Sequence, residues 1–209
     1  MTAPAVTNHA AHAGHADPVA NRLGMWIFLT TEVLLFGVLF VAYAWFHVRY
    51  RLDYHESARH LDRAVGALNT VVLLTSSLTV ALAVRAFQRG LPRMTARWLL
   101  ATVALALVFL GVKAFEWSHK FAAGLSLDSA FLNEQSQGVI VFFGLYYVMT
   151  GLHALHVAAG ALVLGVTALR VARRPPPRAS ALVENVGLYW HLVDLVWIYL
   201  FPLFYLVAR

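Results

Sequence analysis

Three short spacings put ionisable side chains of this chain where they could act together. Glu116 and His119 are three residues apart, as are His153 and His156, and again His191 and Asp194. On an α-helix that spacing places both members of a pair on neighbouring rows of one face. Glu-x-x-His is half of the motif that holds a di-iron centre in a four-helix bundle. That centre needs two such motifs and two further glutamates, and the chain offers one motif and one further glutamate in a comparable setting, Glu32. His153 or His156, facing His191 at matched depth, could clamp a haem between two imidazoles. The third reading is hydrogen bonding between helices, with buried imidazoles and carboxylates satisfying one another at roughly 1 kcal/mol each. It asks least of the sequence and is favoured, but spacing goes no further. There is no phosphate-binding glycine loop, no G-x-S-x-G elbow and no H-E-x-x-H, and the absence of cysteine removes thiolate metal sites and thiol catalysis.

Those side chains must be positioned by apolar elements. Of the 209 residues 60% are hydrophobic and only 12% charged, against roughly 25% charged in ordinary soluble domains. Too little polar surface is left to wrap the chain in water or to present a broad face to nucleic acid. Five apolar stretches, at about 23–48, 65–87, 98–117, 138–169 and 186–207, are near or above the roughly 20 residues that cross a bilayer core. The sequence therefore predicts an all-α integral membrane bundle of five transmembrane helices over residues 22–209. Residues 1–21 lack the basic and apolar regions of a signal peptide and are expected to be retained. They read as a loosely ordered tail in which His9, His12 and His15 form at most a weak surface metal site. Gly144, Gly151, Gly160 and Gly165, with neighbouring alanines, give the fourth stretch a small-residue face suited to close helix packing.

Glu32 stands alone among the apolar residues of the first stretch. It lies about nine residues in, or roughly 13 Å by helical rise. A charge held at mid-depth costs at least about 2.5–3.5 kcal/mol, so Glu32 is a protonatable or lipid-cleft carboxylate, or else half of a hydrogen bond between helices. The cations sit between the stretches. With the N-terminus inside, the inner segments hold Arg22, Arg85, Arg89, Arg93, Arg97, Arg170, Arg173, Arg174 and Arg178, nine in all. The outer segments hold Arg49, Arg51, Arg59, Arg63, Lys113, Lys120 and Arg209, seven in all. That bias orients the chain with its N-terminus inside and its C-terminus outside.

Several of these residues fall in runs that resemble one family. Gly187 to Trp197 (GLYWHLVDLVW) is similar to the signature of subunit III of haem-copper oxidases, and Thr150 to Val157 (TGLHALHV) resembles its T-G-x-H-x-x-H-V element. Arg22 to Met25 followed by Thr31 to Phe36 resembles its opening motif. Leu68-Asn69-Thr70 through Ser76-Ser77, and then Glu116, resemble its next two helices. The likeness runs from about residue 21 to 208. It implies a subunit without redox metals or other cofactor of its own, bound to subunit I, with subunit II nearby. Haem and copper would lie in those partners, and cytochrome c would dock through other subunits. It further implies phospholipid held in a cleft and support of proton uptake in a proton-pumping oxidase of the bacterial inner (plasma) membrane.

Carried over by residue, the resemblance makes Glu32 the buried carboxylate that carbodiimides modify in relatives, and Arg22 a lipid-headgroup partner. It makes His153, His156, His191 and Asp194 packing polar residues. Five helices and a His-containing tail are similar to quinol oxidase subunit III. Thr31-Glu32 and the closing run Trp197 to Pro202 resemble cytochrome c oxidases, which the resemblance favours over quinol oxidase and over the related nitric oxide reductase accessory protein. The orientation is checked by protease added outside intact cells: the link around Arg178 should stay uncut, and cleavage there would reverse the topology.

Overall fold

The computed structural model of the chain describes residues 18–126, 128–174, 177 and 181–207. The expected tail histidines and the residues Arg178 and Arg209 lie outside them. The described residues form seven α-helices and no strand: α1 (Pro18–Arg49), α2 (Arg51–Ala58), α3 (Arg63–Gln88), α4 (Pro92–Ala122), α5 (Ala130–Asn133), α6 (Gln137–Arg173) and α7 (Leu182–Tyr205). Five of these are long and apolar enough to cross a membrane, over Ala20–Arg49, Arg63–Gln88, Pro92–Ala122, Gln137–Arg173 and Leu182–Tyr205.

The helices outrun the apolar stretches read from sequence. The first begins at Pro18, four residues inside the expected tail, and α4 begins at Pro92 rather than near Trp98. Proline suits the first turn of a helix, where its missing N–H has no partner to lose. Arg93 and Arg97 then point outward from the added turn, so these arginines prolong the helix without entering the core. At its 37 residues α6 is roughly 55 Å long, well beyond a hydrocarbon core. The link expected from Arg49 to Arg63 contains a helix of its own, α2, which buries Tyr54, Ser57 and Ala58 against α1 and α6. Burial pushes the Tyr54 phenol well above its ordinary range, and the neighbouring Tyr50 adds to that. Asp62 then starts α3 by accepting from the backbone N–H of Ala64 at 2.8 Å and of Val65 at 3.2 Å. Two left-handed glycines close the preceding helices. Gly90 has φ 72° after α3 and Gly124 has φ 74° after α4. At each, the next residue's N–H returns five residues to a helix carbonyl, Leu91 to Ala86 and Leu125 to Lys120.

Helices α3, α4, α6 and α7 pack in a closed ring, α3 on α4, α4 on α6, α6 on α7 and α7 on α3. Trp190, Trp197, Phe109, Phe142, Phe143 and Phe204 fill its interior. Helix α1 lies outside this ring against α6 and α7, with Trp26, Val38, Val41 and Trp45 on its exposed side. The up-and-down order gathers Arg22, Arg85, Arg89, Arg93, Arg97, Arg170, Arg173 and Arg174 at one end of the bundle. At the other end lie α2, the start of α3 and the end of α4.

The small-residue face of α6 is used unevenly. A Cβ on Gly160 would come within 2.9 Å of both Trp190 and Tyr189, and one on Gly151 within 3.3 Å of Trp117. Gly144 and Gly165 have nothing within 4 Å of that position. Trp190 is fully buried and has nowhere to retreat. Gly160→Ala is therefore expected to destabilise by about 1–3 kcal/mol, read as a lower melting temperature in detergent, while Gly165→Ala leaves it unchanged.

Candidate functional site

Two polar centres lie between the helices. The first joins α1 to the ring: Nε2 of His156 on α6 is 2.8 Å from Oε2 of Glu32 on α1, and both side chains are about 15% exposed. Nδ1 of the same imidazole is 2.7 Å from the Leu152 carbonyl one turn back. A carbonyl only accepts, so Nδ1 carries a proton. The 2.8 Å contact then holds one further proton, either on Nε2 facing a carboxylate or on Oε2 facing a neutral imidazole. The pair is electrically neutral both ways, which is what makes it tolerable against lipid. The ring edge of Phe36 lies against the imidazole at 5.4 Å between centroids, and the Tyr189 hydroxyl donates to the His156 carbonyl at 3.1 Å. One histidine thus ties α1, α6 and α7 together.

The second centre lies deep at the opposite end from the arginines. Glu116 on α4 accepts from Nζ of Lys113 and of Lys120, each at 3.0 Å, through different oxygens. The Tyr146 hydroxyl on α6 donates to Oε1 at 2.9 Å, and that of Tyr205 on α7 reaches both oxygens at 2.8 and 2.9 Å. Lys113 also donates to both phenols, at 3.0 Å to Tyr146 and 2.6 Å to Tyr205. Its Nζ stands 4.8 Å from the Tyr146 ring, 5.3 Å from that of Tyr205 and 5.4 Å from that of Trp197, each within cation–π range. All four donors require Glu116 as the carboxylate.

Lys113 and Lys120 stood in the sequence reading only as charges of the outer end. Here they are buried ion-pair partners, and their i, i+3, i+7 spacing around Glu116 was the available signal. At about 100° per residue, Lys113 and Lys120 lie about 60° and 40° to one side of Glu116, and His119 about 60° to the other. That geometry corrects the expectation for His119. It is exposed, packs its ring on Phe115 of its own helix at 4.4 Å, and takes no part in the interhelical network.

The remaining expected residues scatter. Nδ1 of His191 lies 2.7 Å from the Ser77 hydroxyl, a contact between α7 and α3. Asp194 is buried with its carboxylate near the same Ser77 hydroxyl, at the margin of hydrogen-bonding geometry. His153 is fully buried with both ring nitrogens unbonded, its ring held between Phe109 at 5.5 Å and Trp197 at 5.3 Å. For His153 the expected hydrogen bond is replaced by enclosure between aromatic side chains. The three imidazoles thus turn to three different neighbours, and among the described residues no group of three or more His, Asp or Glu is placed to hold a metal. That arrangement does not bring together the carboxylates and histidines a di-iron centre requires. Arg22 is exposed by 66% and forms an ion pair with Glu184 at 3.3 Å, which also accepts from Gln88 at 3.1 Å.

The sequence as a whole is similar to those of known proteins. Residues 5–209 match the family described as Cytochrome c oxidase subunit III. The chain belongs to that family. It is 33% identical over 196 residues to Cytochrome c oxidase subunit 3 of Corynebacterium diphtheriae, covering 91% of this chain and 89% of that one. It is 36% identical over 195 residues to Heme-copper oxidase subunit I+III of Aeropyrum pernix. That match covers 89% of this chain and 22% of the larger relative, so the chain spans under a quarter of that protein. To Quinol oxidase subunit 3 of Bacillus spizizenii it is 29% identical over 214 residues, covering 96% of this chain and 97% of that one. With five spanning-length helices in this family, the chain is a multi-pass membrane subunit of the haem-copper oxidase class.

Removing Glu116 would leave two ammonium groups buried with one carboxylate fewer. Glu116→Ala is expected to cost about 3–5 kcal/mol, seen as a large fall in melting temperature or loss of the chain from the membrane. Restoration of wild-type stability in that single variant would show that the cluster is not a keystone.

Proposed function

We propose that this chain is subunit III of a bacterial, oxygen-reducing, proton-pumping cytochrome c oxidase. It supplies no electron-transfer centre. Its roles are to brace subunit I, to hold phospholipid, and to support proton uptake. The observation that carries this reading is the Glu32–His156 pair: an acid and an imidazole spent on attaching one peripheral helix, α1, whose other side is open to lipid or to a neighbouring subunit. Arg22, at the arginine-rich end of that helix, keeps guanidinium donors beyond its contact with Glu184 and would meet a lipid phosphate there. Subunit I is the direct neighbour, as the single-chain I+III relative suggests. Subunit II would sit nearby, with haem and copper in these partners and cytochrome c docking through them.

The arginines gathered at one end support an N-terminus inside and a C-terminus outside, in the bacterial plasma membrane. The cytochrome c assignment is favoured by two relatives of that name at 33% and 32% identity, against 29% and 28% for quinol oxidase relatives. The second reading, subunit III of a quinol oxidase, rests on those matches and on the shared helix count.

The test is Glu32→Gln in the assembled oxidase. Gln keeps a hydrogen bond to His156 but takes no part in proton exchange. Assembly should survive, carbodiimide labelling of this chain should disappear, and lipid retention or the number of turnovers before inactivation should fall. Unchanged labelling and unchanged turnover would remove Glu32 from the function.

A further inference from the structure

The second polar centre has a cation left over. Lys113 spends its three N–H donors on Glu116, Tyr146 and Tyr205. Lys120 makes one hydrogen bond, to Glu116, although its side chain is only 7% exposed. Two of its donors therefore lack a protein acceptor among the described residues. Two ammonium groups share one carboxylate, and burial makes the surplus charge expensive.

Lys120 also lines a cavity of about 470 Å³ between the start of α3 and the end of α4. His60, Asp62, Phe115, Glu116 and His119 are among its other walls. Of the two carboxylates there, Glu116 is committed through both oxygens and Asp62 through one. Glu116 is saturated by four donors, and one oxygen of Asp62 takes the first N–H groups of α3. The cavity is also lined by Lys120, whose ammonium keeps two N–H groups beyond its bond to Glu116 and its 5.7 Å approach to the Tyr146 ring. With two exposed imidazoles able to donate, these groups together outweigh the remaining oxygen of Asp62.

We propose that this cavity binds an oxyanion of the phosphate class, with Lys120 as its principal partner and His60 and His119 as further donors. A tetrahedral anion offers several acceptors at once, which a pair of ammonium N–H groups and neighbouring imidazoles can share. Phe115 and Val65 give the same cavity an apolar wall, so the phosphate of a lipid headgroup and free phosphate fit the same chemistry. The site lies at the end of the bundle away from Arg22, and does not depend on whether the oxidase takes electrons from cytochrome c or quinol.

The test uses the purified oxidase complex, with bound phosphorus counted after exhaustive delipidation and after return to either inorganic phosphate or phosphatidylglycerol nanodiscs. Wild type should hold about one more phosphorus per complex than Lys120→Met, and its melting temperature should rise with whichever source is the ligand. Restoration by inorganic phosphate identifies free phosphate, and restoration by nanodiscs alone identifies a lipid headgroup. His60→Gln/His119→Gln alters only exposed side chains and carries the test if Lys120→Met fails to assemble. It should weaken the binding several-fold. Equal phosphorus in wild type and the variants, with no melting shift from either source, would overturn the site.

Discussion

Two ammonium groups and two phenols converge on the carboxylate of Glu116, and the closed ring of four helices depends on that convergence. Lys113, Glu116 and Lys120 come from α4, Tyr146 from α6 and Tyr205 from the last residue of α7. Hydrophobic burial does little to hold helices together where lipid is as apolar as leucine. Polar groups that must find one another therefore set register and depth. Gly66 extends the constraint to α3, because a Cβ there would approach Tyr205 to 2.8 Å. The phenol thus reaches Glu116 only while its ring lies against a bare backbone on α3.

Helix α1 is attached by other means. Glu32 meets His156, the Tyr43 hydroxyl donates to the Leu203 carbonyl, and Arg22 meets Glu184. These contacts lie at the middle and towards both ends of one helix, and between them Phe36 and Tyr43 are its largest buried side chains. A helix held at three polar points, with apolar surface between them, leaves grooves that lipid can enter, and a cavity of about 310 Å³ lined by Met25, Phe28 and Tyr189 opens there. The proposed bracing role and the proposed lipid site both draw on this mode of attachment.

Hydropathy made the five crossings legible, because a bilayer demands a run of apolar residues whatever the tertiary packing. Helix ends were less so: Pro18, Arg93 and Arg97 are polar or helix-breaking in composition, yet suit a first turn or an outward face. Spacing brought Glu116, His153, His156, His191 and Asp194 to notice but could not say what each would meet. Partners more than a hundred residues away decide that, Glu32 for His156 and Ser77 for His191. His119 shows the limit of the i, i+3 rule, since two residues on adjoining rows can still face the core and the exterior. Lys113 and Lys120 were hidden by the habit of reading lysine near a helix end as a solvated charge.

The assignment as a non-redox subunit of a haem-copper oxidase is tested most directly by isolating the native complex through a tag on this chain. Its components should then be separated and their masses and visible spectra recorded. The expected result is co-isolation with a larger haem-bearing subunit and a copper-bearing one, with haem absorbance leaving this chain on separation. A chain that purifies alone from its native membrane, or keeps a stoichiometric Soret band after separation, would contradict it.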